Sequence, residues 1–74
     1  MTNSSPIKTQ FGYVARVAGG QELPLEVLPS RPGYYLGTQF EGEPYTRESV
    51  EYFKTYKQAC DALKSGRWTQ RLAP

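Results

Sequence analysis

The chain has 74 residues, a net charge of +2 and no histidine. That length makes one domain, close to the lower limit for folding without a staple, and leaves no room for a deep cavity. The missing imidazole removes the usual general base near neutral pH, the commonest metal ligand and every Ser-His or Cys-His nucleophile pair.

A single cysteine, Cys60, excludes an intramolecular disulfide and a cysteine metal cluster. A secreted domain of this size would normally carry such bridges. No apolar run approaches the length of a membrane span, and the opening residues hold no apolar signal core. The expected location is the cytoplasm, with no membrane contact. Aromatic residues are 14% of the chain against 38% for all hydrophobic residues, so the expected core relies on rings. The charge is polarised along the chain. Lys8, Arg16, Arg31 and Arg47 face six glutamates in residues 1–53, whereas Lys54, Lys57, Lys64, Arg67 and Arg71 face only Asp61 in residues 54–74.

In chain order, residues 1–10 are polar and aperiodic and read as a disordered tail before a single domain over 11–74. Tyr13 to Ala18 is rich in strand formers and ends at Gly19-Gly20, a turn signal. Leu23, Leu25 and Val27 then alternate with Pro24 and Glu26, the period of a half-buried strand. Because Pro24 cannot donate to a ladder, that strand belongs at an edge. Pro29 to Gly33 is a loop, and Tyr34 to Phe40 is the clearest strand, with Tyr34, Leu36, Thr38 and Phe40 on one face. Glu41 to Pro44 closes it. A second hairpin arm follows from about Tyr45 to Phe53, either one bent strand or two short pieces, and a bulge near Ser49 would reconcile the two.

Thr55 and Gln58 have capping-box spacing, and Tyr56, Ala59, Cys60 and Leu63 form a helical stripe that ends at Gly66. Beyond Gly66, residues 67–71 suit a short closing strand, or else Trp68 covers the open end of the core. The expected class is therefore α+β: a small antiparallel sheet of three or four strands in two hairpins, with one C-terminal helix on one face.

Chemistry is sparse. Cys60 lies on the apolar helical stripe, where cysteine behaves as a small hydrophobe. Glu41 and Glu43 flank a turn, and Glu48 and Glu51 sit on the polar arm. Turn-tip glutamates are solvated and keep ordinary acidity, whereas acid–base catalysis needs two carboxylates across a cleft in contrasting environments. No enzymatic activity and no cofactor are expected. Two surfaces remain. Lys57, Lys64, Arg67 and Arg71 form a basic set on and after the helix, the residue type that contacts phosphates. Tyr35, together with Tyr45 and Arg47 on one face of the next arm, gives an aromatic and arginine mixture of the kind that protein interfaces and single-strand binders share.

From Gly33 onward, Gly33-Tyr34-Tyr35-Leu36-Gly37, Tyr45-Thr46-Arg47-Glu48-Ser49, Glu51-Tyr52-Phe53 and Ser65-Gly66-Arg67-Trp68-Thr69-Gln70-Arg71 resemble a pattern of small uncharacterised proteobacterial proteins, some of them plasmid- or phage-borne. The resemblance covers about half the chain and implies no activity. Three strands followed by a helix is also the plan of the DNA-binding arm of tyrosine-type integrases and of HicB-like antitoxins. No signature residue of either is present, so the likeness concerns topology alone. The expectation is a non-enzymatic interaction protein that binds a protein partner, or a second copy as a homodimer, through an exposed sheet face or the edge near Leu23 to Val27. The alternative is a nucleic-acid-binding accessory protein using the basic set.

Overall fold

Strand-forming residues are densest between Glu26 and Arg47, and the sheet forms there in the computed structural model, which describes residues 10–74. β1 (Glu26–Ser30), β2 (Gly33–Phe40) and β3 (Glu43–Arg47) make one antiparallel sheet in the order β1-β2-β3. Glu26 pairs with Gly37 and Leu28 with Tyr35 on one side, and Gly37 pairs with Arg47 on the other. Directly paired residues share a face. One face therefore carries Glu26, Leu28, Tyr35, Gly37 and Arg47, and the opposite face carries Val27, Tyr34, Leu36, Thr38 and Thr46.

The arm after Glu43 resolves into two pieces. A bulge leaves Tyr45 unpaired, because Thr38 pairs with Thr46 while Gln39 pairs with Pro44. After Arg47 the chain loops outward, with the Leu36 carbonyl accepting from both Glu48 N–H and Ser49 N–H. It returns at Phe53, which exchanges both backbone hydrogen bonds with Tyr34 at 2.7 and 2.8 Å.

The strand expected over Tyr13 to Ala18 is instead a helix, α1 (Tyr13–Gly19). The Gly-Gly signal was sound but ambiguous: Gly20 adopts φ 68° and ends a helix, where the sequence pattern equally suits a hairpin turn. The first of the two expected hairpins therefore does not form, and β1 and β2 make one in its place. Gln10, assigned to the tail, is anchored: its carbonyl accepts from Leu25 N–H, and its side-chain amide donates to the Leu63 carbonyl. Residues 1–9 of the expected tail lie outside the described residues.

α2 (Tyr56–Ser65) runs against β2 and β1 on the Tyr34 side, where the Tyr34 and Tyr56 rings meet edge-on at 5.8 Å. Its inward side is Ala59 and Ala62, rotated from the expected stripe, and Tyr56 is exposed. In place of the fourth strand, the segment after Gly66 makes a single bridge, Ser49 with Gln70.

The core itself departs from the expected ring-filled one. Its buried hydrophobic members are Val14, Ala15, Leu28, Tyr35, Leu36, Ala59 and Ala62, of which only Tyr35 is aromatic. Three alanines bring the helices close to the sheet, so little volume remains for rings. Phe11, Tyr13, Phe40, Tyr45, Tyr52 and Tyr56 are all left exposed.

The Thr55 hydroxyl accepts from Gln58 N–H at 3.0 Å, and the Gln58 side chain reaches back to Lys54 N–H at 3.1 Å, one residue before the position a capping box prescribes. Thr55→Ala should therefore lower stability by about 0.5–2 kcal/mol. Urea melts of the two proteins measure this, and coincident curves would refute the capping role.

Candidate functional site

The buried polar centre was not legible in the sequence. Glu48, expected on the polar arm, is completely buried together with Thr38 and Ser49. Its Oε1 accepts from Val14 N–H at 2.9 Å and from the Gln70 amide at 2.7 Å, and its Oε2 accepts from Ala15 N–H at 3.0 Å and from the Thr46 hydroxyl at 2.6 Å. Val14 and Ala15 are the second and third residues of α1, whose N–H groups an N-cap side chain normally serves. Gly12 occupies the N-cap position and has no side chain to offer. A carboxylate from 36 positions later in the chain does the capping instead. Any Cβ on Gly12 would stand 2.6 Å from Glu48 Oε2 and from Thr38 Cγ2, so the position excludes every other residue.

Thr46 spends its one hydroxyl proton on Glu48, so it accepts from the Thr38 hydroxyl. Ser49 Oγ donates to the Glu51 carbonyl and accepts from Leu36 N–H. Glu51 holds the last segment, its carboxylate accepting from Thr69 N–H and the Thr69 hydroxyl. The polar groups of the network are bonded to one another and to the backbone, which makes it an anchor of the fold.

Burial pushes the Glu48 carboxyl up, but bonds from Thr46, Val14, Gln70 and Ala15 outweigh it and hold the group below its ordinary value of 4.5. Glu51 is lowered in the same way by its bonds from Thr69. A depressed folded value adds stability that is complete above the ordinary value and is lost as pH falls through the folded one.

The helix-free face carries the expected interaction residues in a changed grouping. Tyr35 is not an exposed contact: it is 91% buried, its ring lying across Gly37. Burial, with help from Tyr52, raises its phenol against the opposing pull of Arg47. Arg47 stands with its guanidinium 4.7 Å above the Tyr52 ring, and the Tyr52 ring meets Tyr35 edge-on at 6.0 Å. Tyr45 does not share this face. The bulge turns it to the other side, where its ring meets Phe40 and its hydroxyl fills the space a Cβ on Gly19 would need. Tyr52 replaces it, a residue that sequence pattern could not place because the loop after Arg47 breaks the alternation.

The basic set is dispersed. Lys57 pairs with Asp61 at 3.0 Å, and Asp61 falls between Lys57 and Lys64 on the helix. Arg67 lines an open groove of about 470 Å³ with Phe53, Gln58, Asp61, Ala62 and Ser65. Arg71 is elsewhere, its guanidinium donating to the Arg47 carbonyl at 3.2 Å.

The chain itself engages part of each sheet edge, just before β1 and just after β3. On the side expected to be free, Leu25 N–H donates to Gln10, the Leu23 carbonyl accepts from Gly12 N–H, and Pro29 lacks an N–H altogether. On the other side Val50 N–H donates to the Thr69 carbonyl and Arg71 N–H to the Glu48 carbonyl. Among the described residues no helix is long and apolar enough to cross a membrane, and no three His, Cys, Asp or Glu side chains are grouped to hold a metal ion. The chain matches no protein-family model, no curated protein and no solved structure.

Replacing Glu48 by Gln presents an NH₂ to donors that already point inward. Glu48→Gln should cost about 2–3 kcal/mol at pH 7. Wild-type stability should hold from pH 7 to about 5 and fall below that, and the acid loss should shrink in the variant. Urea melts across this pH range test both statements. Equal stability of the two proteins at pH 7 would remove Glu48 from the centre of the fold.

Proposed function

We propose that this protein is a non-enzymatic interaction module that binds a protein partner through the helix-free face of its sheet. The observation that carries the reading is the Arg47–Tyr52–Tyr35 cluster: an arginine stacked on a tyrosine that is braced by a second, buried tyrosine. Arginine and tyrosine are the residue types that dominate interface energetics, and a stacked guanidinium keeps its in-plane N–H groups available to a partner. Arg47 and Tyr52 also meet the partner at a low entropic cost, since each restrains the other.

Elimination supports the same face. The bonds at Leu23, Leu25, Val50 and Arg71, with Pro29 and Pro44 lacking an N–H, shorten the free edges and argue against strand addition, which needs runs of unpaired N–H and C=O groups. For nucleic acid, the Lys57–Asp61 pair and the structural use of Arg71 argue against a continuous basic track. The saturated Glu48 network offers no group for acid–base work.

The test is affinity capture from cell extract with wild type, Tyr52→Ala and a Lys57→Glu, Lys64→Glu double variant. A discrete protein should be retained by wild type and by the lysine variant, and its recovery should fall about tenfold or more with Tyr52→Ala. Recovery of nucleic acid that is lost steeply with rising salt and with the lysine changes would overturn this reading in favour of phosphate binding.

A further inference from the structure

We infer that the partner for which the helix-free face is built is a second copy of this chain, seated on a two-fold axis over Gly37. The inference rests on the face assignment above and adds the identity of the occupant.

The argument is charge complementarity within one row of the sheet. Glu26 pairs with Gly37, and Gly37 pairs with Arg47, so the three residues lie side by side across the strands on the helix-free face. Among the described residues neither charged residue has a charged partner. Lys57 with Asp61 is the one ion pair among the described residues, and residues 1–9 contain no Asp or Glu that could serve Arg47. Glu26 uses Oε1 to accept from the Gln39 amide at 2.8 Å. Between the two charges Gly37 has no side chain, and the edge of the Tyr35 ring fills the space a Cβ would take.

A two-fold axis in the plane of this face, parallel to β2 and above Gly37, exchanges left and right while turning the second copy face down. Arg47 of each copy then stands over the partner's Glu26, and both pairs form at once. Interfaces of this isologous kind repeat every contact, so one row supplies two ion pairs. An axis perpendicular to the strands would instead set like charges together, which selects the parallel axis.

Area limits the strength of the association. Three strands spaced about 4.8 Å apart and eight residues rising about 3.3 Å each give a face of about 14 by 26 Å. Two copies would bury about 700 Å², well under the roughly 1,200 Å² of stable interfaces, so the dimer is weak and concentration-dependent. Exposed ion pairs at its rim also make it weaken as salt rises toward 1 M.

Sedimentation equilibrium on the full chain, from about 10 µM to 1 mM at low salt, reads the association. Wild type should shift from monomer to dimer over this range. Glu26→Arg and Arg47→Glu should each weaken dimerisation about tenfold or more, since each reversal places two like-charge pairs in the interface. An equimolar mixture of the two reversed proteins should recover a dimer with wild-type affinity, and so should the chain carrying both reversals. Recovery in the mixture cannot come from a misfolded variant, and matching thermal melts check the fold independently. A wild-type chain that stays monomeric at 1 mM, or reversals that dimerise undiminished, would overturn the second-copy assignment. That failure is separate from failure of the interaction reading, which falls if the Tyr52→Ala protein retains the captured partner or if salt-labile nucleic acid is recovered instead.

Discussion

The Glu48 carboxylate is the constraint on which the rest of the structure depends. A buried charge of this kind is tolerated only when its lone pairs are filled, and here four donors converge on two oxygens. The donors come from both ends of the described chain, Val14 and Ala15 near the start and Gln70 near the end, and from the middle at Thr46. One side chain thus ties α1, β3 and the C-terminal segment to a common point. In so small a chain, hydrophobic burial alone leaves a narrow margin, and the core of alanines and one ring makes it narrower. Charged hydrogen bonds and helix-end dipoles add to that margin.

The anchor has a cost in sequence freedom that explains otherwise unremarkable residues. Gly12 must lack a Cβ to admit the carboxylate, Thr46 must donate to it, and Thr38 must donate in turn to Thr46. Ser49 and Glu51 extend the same logic outward, satisfying Leu36 N–H and clasping Thr69. Glu48 therefore acts as structure, where an isolated buried carboxylate would have suggested chemistry. Its pKa is lowered, which favours a permanent charge and disfavours proton exchange near neutral pH.

Function is pushed to the surface by the same economy. Small residues beneath the helices leave most rings at the surface, where they pair with one another or with the buried Tyr35: Tyr34 with Tyr56, Phe40 with Tyr45, and Tyr52, under Arg47, with Tyr35. The helix-free face combines stacked aromatics with charges that have no ionic partner among the described residues. The proposed interaction role rests on that arrangement, and the proposed self-association rests on the cross-strand order of Glu26, Gly37 and Arg47.

By itself the sequence determined what is local: the strand Tyr34 to Phe40, the Thr55 cap and Gly66 stop of α2, and the α+β class that these elements imply. Each is set by residues within a turn or two of one another, so composition and period suffice. Only the tertiary structure decided the rest. Tyr13 to Ala18 has strand-like composition but becomes a helix because a carboxylate from beyond β3 caps it, and no local pattern announces a partner so distant in the chain. The grouping of Tyr35, Arg47 and Tyr52, and the separation of Tyr45 from them, turned on a single unpaired residue at a bulge and an outward loop, each of which reverses which face a side chain takes.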